Sequence, residues 1–180
     1  LAGVALAATV ASGAHATVLF SDNFDAEHGG SIALNYTGFA NWTVTGQVDL
    51  VKSPDYGIAC TGSCVDLDGT SGPGAITSSS IAYNANQLLT ISFDMSGMQR
   101  GGSADQFDFT AYFGVLSSIN NFQTTSGFLY GTPGNYTGLS DLGMYSETVA
   151  ANKGFTTYSL NFTPTSAGTL KLYFGTPSAD

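Results

Sequence analysis

The chain has 180 residues with 43% hydrophobic content, enough to supply a core, which excludes an intrinsically disordered segment. Only four basic residues, Lys52, Arg100, Lys153 and Lys171, stand against thirteen acids, so the formal net charge is −9 and a phosphate backbone would be repelled; nucleic acid is excluded as a partner. The charged fraction is 9%, and 23 glycines with abundant Ser, Thr and Asn announce tight turns and neutral polar faces.

The first sixteen residues, LAGVALAATVASGAHA, are apolar and end in Ala14-His15-Ala16, the small-x-small pattern of a signal-peptidase site. They are expected to be the helical part of a signal peptide, truncated at its start, since neither a Met nor a basic residue precedes them. The stretch is shorter than the ~20 apolar residues a spanning helix needs. Cleavage after Ala16 leaves residues 17–180 as a single domain, which at that length buries roughly 70% of its unfolded surface.

The first strand is expected at Thr17 to Phe20, leading into Ser21-Asp22-Asn23-Phe24-Asp25, and Gly29-Gly30 opens a loop. Trp42 to Val51 alternates apolar and polar positions, with Gly46 marking a bulge or turn, and Ser53-Pro54-Asp55-Tyr56-Gly57 ends the run. Trp42, at the head of this strand, reads as core more than as a sugar platform.

Cys60 and Cys64 are the only cysteines, an even number in a chain expected to be exported, and Thr61-Gly62-Ser63 between them allows a tight reversal. They are expected to form a disulfide, a local clip contributing about 2 kcal/mol in the chain-entropy picture. Redox catalysis favours the closer C-x-x-C spacing, and a structural zinc site needs more ligands.

Val65-Asp66-Leu67-Asp68 alternates as a half-buried strand with its two carboxylates outward, ending at Gly69. Runs at Ala75 to Tyr83 and Leu88 to Met95 follow, the second placing Leu89, Ile91, Phe93 and Met95 on one face. Three strands so close in sequence predict one antiparallel sheet with a wet face. Gln106 to Leu116 is a further strand with Phe107, Phe109, Ala111, Phe113 and Val115 buried, while Ser117 to Gly143 is turn-rich and reads as an elaborated loop with room for a short hairpin. Met144 to Val149, Phe155 to Phe162 and Thr169 to Phe174 complete the strands, with a turn between Pro164 and Gly168.

The string C-x-x-x-C-V-D-L-D-G-T-S-G-x-G, followed by L-T-I-S-F-D-M-S-G-M-Q-R-G, resembles exported bacterial proteins that carry a PEP-CTERM sorting tail. Ser21 to Asp25 and Asn41-Trp42-Thr43-Val44 belong to the same likeness, which runs from about Leu19 to the end. It implies an all-β fold, an antiparallel sandwich of the galactose-binding-like jelly-roll kind, with one further strand and the tail beyond Asp180. Membrane anchoring would come only through that tail.

Such jelly rolls often hold a structural calcium near the junction of their first and last strands, which makes Asp22, Asn23 and Asp25 the candidate metal ligands. The plainer reading of these groups is of carboxylates and an amide that cap turns. Arg100, the only arginine, could hold a carboxylate or a sugar hydroxyl, or else pair with Asp94 or Asp105. The long loop carries Tyr130, Asn135 and Tyr136 among Gly131, Pro133, Gly134 and Gly138, aromatic and amide groups of the sort that bind a glycan.

Nucleophile-elbow, zinc-protease and phosphate-loop motifs are missing, and the only glutamates are Glu27 and Glu147, so no catalytic residue is assigned. The expectation is a non-catalytic secreted or cell-surface module that binds an extracellular polysaccharide, neutral before anionic. The alternatives are a structural surface or biofilm-matrix protein without a ligand, and an unrecognised glycoside hydrolase.

Overall fold

A computed structural model of the chain describes residues 5–12, 15–99, 102–114, 118–128, 134–138 and 140–177. The N-terminal part forms β1 (Ala5–Ser12), β2 (His15–Asp22), β3 (Trp42–Gly46) and β4 (Asp49–Lys52). The central part gives β5 (Ser63–Asp66), β6 (Asp68–Gly69), β7 (Gly72–Ser78), β8 (Ile81–Tyr83) and β9 (Leu88–Met95). After these come β10 (Asp105–Phe113), β11 (Ser118–Ser126), β12 (Gly134–Thr137), β13 (Tyr145–Val149), β14 (Thr156–Pro164) and β15 (Gly168–Gly175).

The strands build two large antiparallel sheets. The first runs in the order β12-β11-β14-β9-β1-β2, and the second β13-β10-β15-β7-β3 with β6 beside β7 and β8 beside β15. The β4–β5 pair stands apart as a two-stranded ribbon. Alternation along β9 buries Leu89, Ile91, Phe93 and Met95, and alternation along β15 buries Leu170, Leu172 and Phe174. The two inner faces meet at Phe93 of the first sheet, whose ring lies 5.0 Å from Phe109 and 4.7 Å from Phe174 of the second. Phe162 and Phe113 meet the same way farther along, 5.7 Å apart. The fold is therefore an all-β sandwich closed by aromatic edge-to-face packing.

Four sequence expectations change. The apolar segment expected as a signal-peptide helix is strand β1, paired with β9 on one side and β2 on the other. A short apolar run carries no period that separates helix from strand, and two open strand edges settle it here. Next, Val65 to Asp68 has no wet face: Asp66 is 5% exposed and Leu67 is buried as well, because β5 pairs with β4 under the surrounding loops. The three central runs do not share a sheet either. β9 lies in the first, β7 in the second and β5 in the ribbon, so consecutive strands cross between layers.

Finally, the stretch 117–143 contains a nine-residue strand, β11, hydrogen-bonded to β14 in the first sheet, with β12 returning on its outer edge. Its register shifts between Ile119 and Phe122, where Asn121 takes a positive φ of 54°, so its two buried residues fall three apart and alternation is lost. β1 and β2 are neighbours in one sheet.

Candidate functional site

The two sheets end side by side in β12 and β13, their outermost strands, and between these edges lies a cleft of about 230 Å³. Ile119, Phe122, Tyr136, Asp141, Leu142, Gly143 and Tyr145 line it. Tyr136 sits opposite Ile119 in the β11–β12 register, so its ring points to the inner side of an edge strand; it is 37% exposed. The ring rests over Gly134, whose place could take a Cβ only in tight contact with it, and meets Phe122 edge-on at 5.6 Å.

Tyr145 opens β13 on the facing sheet, held by Phe128 at 5.2 Å and Phe122 at 6.0 Å. Burial, reinforced by nearby Tyr136, pushes the Tyr145 phenol up to about 12, so it stays a neutral donor. Residues 140–142 run as an extra strand beside β10: Phe113 N–H donates to Ser140 O at 2.8 Å and Leu142 N–H to Ala111 O at 3.1 Å. Asp141, paired with Tyr112 in this bridge, has Oδ1 fixed by the Gly143 N–H at 2.8 Å. Two tyrosines thus stand over an apolar floor with the Asp141 carboxylate at its rim, the pattern of a small ligand site with a few placed polar groups.

Of the sequence-predicted ligand residues, Tyr136 is in this cleft. Asn135 is placed next to it but its amide oxygen accepts the Asn121 N–H at 3.1 Å, stitching β12 to β11. Tyr130 and Arg100 lie outside the described residues. Asp141 and Tyr145 were not predicted, because they join Tyr136 only through the pairing of the 140–142 segment with β10, a contact no local pattern announces.

The candidate metal ligands hold the entry loop together. Asp22 Oδ1 accepts the Phe24 N–H at 2.9 Å, and its Oδ2 accepts the Trp42 indole N–H at 3.0 Å and an Asn41 amide hydrogen at 3.1 Å. Asp25 Oδ1 accepts the Ser63 N–H at 2.7 Å and Oδ2 the Asn23 amide at 2.8 Å, while Asn23 Oδ1 takes the Asp25 N–H. Every carboxylate oxygen of the pair thus already accepts from the chain, and no cluster of three His, Cys, Asp or Glu side chains suited to a metal occurs among the described residues. Trp42 itself is buried, as its place in the strand predicts.

Cys60 and Cys64 are buried thiols in a small separate core with Val51 and Ile58. A hydrogen bond from the Cys64 thiol lowers Cys60 to about 7, and the same contact with burial pushes Cys64 up. A notch of about 130 Å³ lined by Asp94 and Phe155 opens beside them. Asp49 and Asp66 face each other across β4 and β5, both buried. Asp49 receives the Asn35 N–H at 2.6 Å and the Thr70 N–H and O–H at 3.0 and 2.7 Å. Asp66 receives only the Asp68 N–H among the bonds described; burial, with the charges of Asp49 and Asp68, pushes it up to about 7.

The class defined by fold and site is an all-β sandwich with an aromatic cleft at its open edge. Among solved structures the chain is similar to TmCBM61, a structure in complex with β-1,4-galactotriose, at 14% identity and a TM-score of 0.29 over 77% of this chain and 88% of that one. It is also similar to the enzymatically active domain of bacteriophage CBA120 tailspike protein 4, at 9% identity and a TM-score of 0.25, covering 80% of this chain and 18% of that one. No family model matches the chain, and no curated protein does.

Proposed function

We propose that the protein is a non-catalytic, exported β-sandwich of the jelly-roll, galactose-binding-like kind that binds an extracellular neutral glycan in the cleft between β12 and β13. The observation that carries this is the convergence of Tyr136 and Tyr145 on one apolar floor with Asp141 at its rim. Tyrosine rings offer faces to sugar C–H groups, and the Asp141 carboxylate accepts a hydroxyl. The PEP-CTERM likeness and the Ala14-His15-Ala16 motif support export, and calcium at Asp22, Asn23 and Asp25 belongs to the same proposal.

A glycan-array screen tests it, run on the intact chain in calcium and again in chelator while released sugar is followed. Retention of neutral glycans without product release is expected, together with loss of retention in Tyr136→Ala at a melting temperature within about 3 °C of wild type. Absence of binding across the array would favour a structural spacer. Product release would make the protein a hydrolase. A melting temperature indifferent to calcium would leave the three loop residues as turn caps.

A further inference from the structure

The outer face of the second sheet, on the other side of the Asp141 rim, also presents tyrosines. Tyr112 of β10 and Tyr173 of β15 meet edge-to-face at 6.2 Å, and Tyr112 is 41% exposed. Register places Tyr112 opposite Lys171, Thr110 opposite Tyr173 and Asp108 opposite Gly175. All of these point away from the core, since the intervening Phe109, Ala111, Leu172 and Phe174 point into it.

Tyr173 lies along its strand with its hydroxyl over Gly175, where an added Cβ would meet it at 2.5 Å, so its phenol reaches toward Asp108. Asp108 in turn accepts the Ser146 hydroxyl from β13. Thr110, only 2% exposed and flanked by Asp108, Tyr112 and Tyr173, has a hydroxyl oxygen that makes no hydrogen bond among the described residues, which a buried polar group rarely tolerates. Farther along the face, Thr77 and Thr43 continue the row opposite Tyr173 with hydroxyls and no charge.

We propose that this face is a second sugar platform, built on Tyr112 and Tyr173 around Asp108, Thr110 and Lys171, and that a neutral oligosaccharide runs from the cleft across Asp141 onto it. The proposal rests on the glycan reading of the cleft. Continuity selects this occupant: Asp141 lines the cleft and is the backbone partner of Tyr112, and residues directly opposite in an antiparallel pair present side chains to the same side. The rim and the platform are therefore one strand spacing apart, ~4.8 Å. The exposed Tyr112 ring supplies a stacking face, Lys171 a donor and Asp108 an acceptor. A protein surface would find few apolar anchors here, and an anionic polymer would meet two carboxylates for one ammonium.

Calorimetric titration of the intact chain with β-1,4-galacto-oligosaccharides and cello-oligosaccharides of one to six residues tests the platform. Affinity is expected to climb with length in the wild type. Tyr112→Ala should cut the affinity for the hexasaccharide about tenfold and leave the mono- and disaccharide unchanged, and Tyr112→Phe should keep the climb. Lys171→Met, at an exposed position, gives the same test should Tyr112→Ala melt early, with a smaller loss confined to the long oligosaccharides. A full climb in both Tyr112→Ala and Lys171→Met, with Tyr136→Ala still weakening every length, overturns the platform and leaves the cleft standing. Equal weakening at all lengths in Tyr112→Ala also overturns it, since Tyr112 would then act through the rim alone. A wild type that binds no length overturns both.

Discussion

Asp66 is where burial and charge are most directly opposed. Its carboxyl sits 5% exposed beside Asp49 and Asp68, and its folded value of about 7 lies well above the 3.8 of an ordinary Asp. An acid whose folded value is raised holds its proton more tightly in the folded state, so its contribution is complete below about pH 4 and is lost as pH rises through 7. The loss is on the order of 4 kcal/mol. Asp66→Asn keeps an acceptor for the Asp68 N–H without the charge. Denaturant midpoints are expected to match wild type at pH 4 and exceed it at pH 8, and equal midpoints at both would show Asp66 ionised at little cost.

The cysteine pair invites a second test at this scale. With its pKa lowered to about 7 by the hydrogen bond from Cys64, Cys60 is the more reactive thiol of the pair. If the proposed disulfide forms, the unreduced protein is expected to resist alkylation at both positions. After mild reduction Cys60 should label first. Labelling of both before reduction would remove the disulfide.

At the scale of elements, β9 and β10 were legible because a strand buried on one face writes its period into the sequence. Leu89, Ile91, Phe93 and Met95, then Phe107, Phe109, Ala111 and Phe113, are where alternation puts them. β11 was not legible, because its bulge at Asn121 breaks the period and its exposed positions carry Asn, Gln, Thr and Ser, the vocabulary of a loop. Half of the cleft was hidden for the same reason: Tyr136 could be singled out as a ring on a glycine-rich turn, but Asp141 and Tyr145 acquire meaning only once β11, β12 and the 140–142 segment are placed.

The position of β1 would make cleavage after Ala16 a structural event. Cleavage after Ala16 would remove the strand between β9 and β2, leaving β9 paired with β14 alone. In the chain beginning at Thr17, the alternate β9 amides that face β1 are expected to exchange with deuterium faster than in the uncleaved chain. Equal protection in both would show the slot refilled by another strand.

For the molecule as a whole, charge would decide which glycan the proposed cleft takes. The net charge of −9 is spread over a chain with four cations, and both aromatic surfaces carry an acid, Asp141 at the cleft and Asp108 on the outer face. A neutral oligosaccharide brings no charge to screen, so its affinity should change by less than about twofold between 10 and 150 mM salt, over which the screening length falls from about 30 to 8 Å. An oligogalacturonate of equal length must approach against the field of the whole molecule. Its affinity in chelator is expected to be lowest at low salt and to rise as salt screens the repulsion, the reverse of ordinary ion pairing. Tighter oligogalacturonate binding at 10 mM than at 150 mM salt would instead place a cationic site on the surface and favour an anionic polysaccharide as the ligand.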